Sequence, residues 1–74
     1  MNAREWIDAY AARLGTAPPS TGEFATLLDL AGEAAHSSER VAAPVACWVA
    51  ARAGVEPPAA LEAAREIRPV AGDA

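Results

Sequence analysis

The chain has 74 residues and a formal net charge of −4, enough for one small domain spanning residues 1 to 74. One cysteine excludes an intrachain disulfide, and one histidine excludes a zinc cluster of the usual kind. The six positive charges are all arginine and form no basic stripe, so a nucleic-acid partner is not expected.

Asn2 followed by Glu5 has the spacing of a capping box, the pairing that opens many helices. Trp6, Ile7, Tyr10, Ala11 and Leu14 then recur at helical spacing, with Arg4, Asp8 and Arg13 on the other side. Gly15 is the natural stop, so a first helix is expected over residues 3 to 14. Trp6 and Tyr10 lie one turn apart. They read either as packing residues or as a partner-docking stripe, since aromatic side chains anchor interfaces.

Thr16 to Ser20 reads TAPPS, an extended connector that two prolines keep from continuing the helix. Ser20 with Glu23 repeats the capping-box spacing. A second helix over residues 21 to 36 would bury Phe24, Leu27, Leu28, Ala31 and Ala35, with Leu30 and Ala34 widening the stripe toward a second neighbour.

His36 to Arg40 is the most polar run between two apolar segments. Pro44 is tolerated in a first helical turn and costs about 3 kcal/mol in a helix interior. A third helix is therefore expected over residues 42 to 53, carrying Val45, Trp48, Val49 and Cys47 and ending at Gly54. Between Val41 and Ala53 only Arg52 is charged. A helix apolar nearly all round reads as buried, and this segment is too short for the ~20 residues of a membrane span. It is expected to form the centre of the molecule, hidden by the other helices around it or by a second copy of the chain, with Cys47 as a small buried hydrophobe. Arg52 is expected to snorkel at the helix end or to meet a carboxylate.

A Glu56-Pro57-Pro58 connector follows Gly54, as Ala17-Pro18-Pro19 follows Gly15. The fourth helix is placed over residues 58 to 67, with Leu61, Ala64 and Ile67 inward and Glu62, Arg65 and Glu66 outward. The fold class is all-α, a small four-helix bundle of two αα-hairpins. Residues 70 to 74 are expected to fray.

No phosphate-binding glycine loop, nucleophile elbow, HExxH or CxxC motif occurs. One polar cluster remains. Were the second helix to extend, Glu33, His36 and Arg40 would share a face, with Glu39 beside them. Arg40 near the amides that open the third helix would make an anion site for a phosphate or nucleotide-like group. The alternative is structural: His36 at a helix C-terminus, Ser37 or Ser38 capping the next turn, and Arg40 paired with Glu39 or Glu33.

Three segments carry a resemblance: REWIDAYAARLG, the short second helix with its acidic start, and the run from Leu27 to Gly54, most specifically Leu27 to Val45 with His36, Glu39, Arg40 and Pro44 at motif positions. Together they resemble a small helical domain of high-GC bacteria, found alone or fused behind molybdenum cofactor guanylyltransferase. The resemblance implies an accessory role in molybdopterin guanine dinucleotide synthesis or molybdoenzyme maturation. It supplies no catalytic residues.

The expectation is a non-enzymatic interaction domain with no metal and no cofactor. Its partner would be a protein: itself or a molybdenum-cofactor enzyme. A chain that is 53% hydrophobic without a staple points the same way. MNAREW shows no signal pattern, so a cytoplasmic setting with a reduced thiol and no membrane contact is expected.

Overall fold

The computed structural model describes residues 1 to 67. Four helices follow in order: α1 Ala3–Leu14, α2 Thr21–Ser37, α3 Ala42–Arg52 and α4 Pro57–Arg65. Among the described residues there is no strand. The architecture is the expected all-α, four-helix one. The expected fraying beyond Val70 lies outside the described residues.

Local chemistry explains each boundary. Asn2 accepts from the Glu5 amide while the Glu5 side chain accepts from the Asn2 amide, both at 2.8 Å. Ser20 and Glu23 close the same box at 3.0 and 2.8 Å. Replacing Ser20 with alanine orphans an amide at the start of α2 and is expected to cost about 1 kcal/mol. Urea denaturation followed by circular dichroism checks this, with an unchanged m-value showing that only the native state was weakened.

Two glycines end helices in the left-handed region, Gly15 at φ 76° and Gly54 at φ 73°. After each, the next amide reaches back five residues: Thr16 to the Ala11 carbonyl at 2.9 Å, and Val55 to the Ala50 carbonyl at 3.1 Å. The Pro-Pro pairs that follow differ in use. Pro18 and Pro19 lie in the connector before α2, whereas Pro57 and Pro58 form the first turn of α4, where a missing N–H costs nothing. Pro44 occupies the third position of α3 for the same reason.

The centre of the packing is α2, not α3. α2 packs closely against both α3 and α4. Its Leu30 is 3% exposed and meets Ala60 and Leu61 of α4, with Leu27, Cys47, Ala50 and Ala64 around them. The widened stripe of α2 thus does touch two neighbours, through Leu30. Leu28, expected inside, is 62% exposed, because it projects away from both α3 and α4.

The expectation that α3 is buried within its own chain is overturned. It has no buried residue. Val45 is 58% exposed and Trp48 64% exposed. The reason is geometric: α2 covers one side of α3, the side carrying Cys47 and Ala50, and the remaining helices do not reach the other. Ile67, expected to point inward, is likewise exposed, because α4 ends at Arg65.

α1 is anchored near its N-terminal end by Arg4. Only Ala11 of α1 is buried. The Arg4 guanidinium donates to the Pro19 carbonyl and lies 5.4 Å from the Phe24 ring centroid. Its Nε sits 3.1 Å from Asp8 Oδ1. An open cleft of about 700 Å³ separates Ile7, Tyr10 and Leu14 from Cys47, Ala51 and Val55. The described chain is accordingly long for its size, 45 × 24 × 19 Å.

Candidate functional site

The polar run after α2 does not gather into one site. α2 ends at Ser37, and Ser38 has φ −144° and ψ −99°, which leaves the helical path. Arg40 therefore does not continue the face that carries Glu33 and His36. The Ser37 hydroxyl donates to Glu33 Oε2 at 3.0 Å, and the Ser38 hydroxyl donates to the Ala34 carbonyl at 2.7 Å. Both serines turn back into α2 rather than capping α3, whose N-cap is Val41 without a side-chain hydrogen bond.

His36, Glu39 and Arg40 are exposed, and among the described residues no ion pair joins Arg40 to Glu39 or Glu33. The amides that would hold an anion are in use. Ala42 N–H donates to the Glu39 carbonyl at 2.9 Å and Ala43 N–H to the Arg40 carbonyl at 3.1 Å. Pro44 has no N–H. The first turn of α3 thus has none of the three outward donors a helix-terminal anion site relies on.

The apolar surface is organised differently. Val41, Val45, Trp48 and Val49 recur at helical spacing along α3, and all four are exposed. Arg52 lies one turn beyond Trp48, its guanidinium 6.0 Å from the indole centroid, and among the described residues it meets no carboxylate. Beside this ridge runs an open groove of about 460 Å³ between α3 and α4. Buried Leu30 and Ala60 lie at its base, and Val45, Val49 and Ile67 form its rims. No polar side chain lines it.

A family model described as a domain of unknown function, DUF6457, matches residues 1–74. The chain belongs to the DUF6457 family. No curated protein and no solved structure matches it.

A second aromatic feature of this DUF6457 chain is on α1. Trp6 and Tyr10 stack with ring centroids 5.0 Å apart and planes at 26°, each about half exposed. They do not share the α3–α4 groove, whose lining residues come from α2, α3, α4 and the Val55 connector. Sequence patterning singled out the α1 pair as a docking candidate and left open whether the apolar α3 segment is hidden by its own chain or by a second copy. The signal there was the lone charge of α3, which is equally compatible with burial in the chain and burial against something else.

Among the described residues no cluster of His, Cys, Asp or Glu is arranged to hold a metal, and no helix is long and apolar enough to cross a membrane. Cys47 faces α2, its sulfur 4.0 Å from the Leu27 carbonyl, and burial pushes its thiol pKa up. The thiolate is the nucleophile, so alkylation by iodoacetamide at pH 8 is expected to run more slowly than for free cysteine, and to match it in urea. A native rate equal to the unfolded one would contradict this packing. Because the folded pKa lies above the unfolded one, the contribution to stability is present below the unfolded thiol pKa. It is lost as pH rises from there through the raised folded value.

Proposed function

We propose that this DUF6457 chain is a non-catalytic interaction module whose docking surface is the exposed apolar face of α3 with the adjoining α3–α4 groove. One observation carries the reading: among the described residues, an eleven-residue helix whose only charge is Arg52 has no fully buried residue and leaves Val45, Trp48 and Val49 more than half exposed. Monomeric proteins rarely expose contiguous apolar patches of more than a few hundred Å², and larger ones mark association sites. A groove lined only by aliphatic groups offers shape and area to a partner, and no polar group to orient a substrate.

The resemblance of the Leu27 to Val45 run supplies a setting for that module, as an accessory to molybdenum cofactor guanylyltransferase or to molybdoenzyme maturation. In that setting the enzyme carries the nucleotide chemistry and this chain contributes surface. A reduced thiol at Cys47 suits a cytoplasmic location.

The test is titration calorimetry of the unaltered chain into a molybdenum cofactor guanylyltransferase, together with dilution calorimetry of the chain alone. Heat of association in either, reduced at least tenfold by Trp48→Glu, supports the reading. Neither heat at any concentration overturns it.

A further inference from the structure

We infer that the occupant of the α3–α4 face is a second copy of this chain, packed about a two-fold axis with α3 antiparallel to α3 of its mate. The inference rests on the interaction-module reading and names its partner. Three observations carry it.

The first is self-complementarity. A two-fold interface uses the same patch on both copies, so the patch must hold both projections and a recess. The ridge of Val41, Val45 and Trp48 stands beside a groove lined largely by alanines, among them Ala46, Ala50, Ala60 and Ala64. Small residues at the base of a groove admit the bulky row of a facing helix. Two copies joined this way turn the α3–α4 pairs into a four-helix core that neither copy builds alone.

The second is area. A monomer of 7.6 kDa is expected to expose about 4300 Å² on the size scaling of folded proteins. This chain exposes 5648 Å². A standard interface takes roughly 800 Å² from each partner, less than two thirds of the surplus. The surplus is shared between the α3–α4 face and the open cleft beside α1, and an interface of standard size fits within it.

The third is charge. Two chains of net charge −4 repel wherever carboxylates face each other. α3 carries no carboxylate, so it is a face on which an acidic chain meets its own copy without that cost. The antiparallel arrangement also brings Arg52, at the end of one α3, toward the start of the other, where Glu39 is exposed. Parallel packing would set Arg52 against Arg52.

Sedimentation equilibrium of the full chain over a wide concentration range tests the inference. The expected mass is twice 7.6 kDa at high concentration. Val45→Glu, at a site exposed in the single copy, is expected to shift the mass to that of one copy. In a Trp6→Phe background the only remaining indole is Trp48, and its emission is expected to move to shorter wavelength on association. A fold that depends on association would make Val45→Glu lose helicity. The melting temperature of the unaltered chain then decides, rising with concentration if the inference holds and constant if it fails. A single-copy mass at every concentration with constant melting overturns the dimer, and so does a dimer that survives Val45→Glu. Calorimetric binding to the guanylyltransferase by a strictly single-copy chain would sink this inference and leave the interaction-module reading standing.

Discussion

Leu30→Ala is expected to remove about 2–5 kcal/mol of stability, whereas Leu28→Ala, two residues away on the same helix, is expected to change it by less than about 1 kcal/mol. Both substitutions delete the same atoms and leave a good helix former. They differ in surroundings. Leu30 is enclosed by Ala60, Leu61 and the half-buried groups of α3, so its loss leaves a cavity that three helices must close around. Leu28 faces solvent across most of its surface, near Ile7, Pro19 and Phe24. The larger loss is a substantial part of the whole stability of a domain this size, commonly 5–15 kcal/mol or less. Urea denaturation followed by far-ultraviolet circular dichroism reads both. Equal losses from the two variants would mean that α2 does not present Leu30 to α4.

Leu61→Ala is expected to cost about 2–4 kcal/mol, and the loss is expected to fall on α4 before the rest of the chain. α4 has nine residues and no side-chain N-cap hydrogen bond. Isolated helices shorter than about 12–15 residues are marginal in water, so this one exists because it is packed. Its packing rests on Ala60 and Leu61, the two buried residues it contributes. Hydrogen exchange by mass spectrometry is the measurement: amides from Ala60 to Glu66 should lose protection, while those of α1, closed by its own capping box, should keep theirs. Uniform loss along the chain would show instead that α4 and α2 open as one unit. The same variant unseats Ala63 and Ala64 from one wall of the α3–α4 groove, so association through that groove should weaken with it.

These expectations show which level of structure each feature belongs to. The helix boundaries were legible because their causes are local. Asn2 with Glu5, Ser20 with Glu23, Gly15 and Gly54 each act within one turn, and the four helices start and end within two residues of where those signals place them. The prolines were legible as interruptions, though not in their use: only the geometry separates the connector prolines from the first-turn pair of α4. The polar run was legible as a helix junction. Its proposed gathering of Glu33, His36, Glu39 and Arg40 depended on α2 extending, and Ser38 turns the chain out of the helix before Arg40.

By itself, the sequence determined four helices, the first two opened by capping boxes, their approximate bounds, and the apolar content of the third. Only the tertiary structure decided that α2 is the central helix, that Leu30 rather than Leu28 is enclosed, and that Val45 and Trp48 remain outside. The physical reason is that periodicity marks which residues avoid water, and hydrophobic burial has no direction of its own. Whether that avoidance is met by the same chain depends on how many neighbouring helices there are to cover each face, and here α2 covers one face of α3 and nothing in the described chain covers the other.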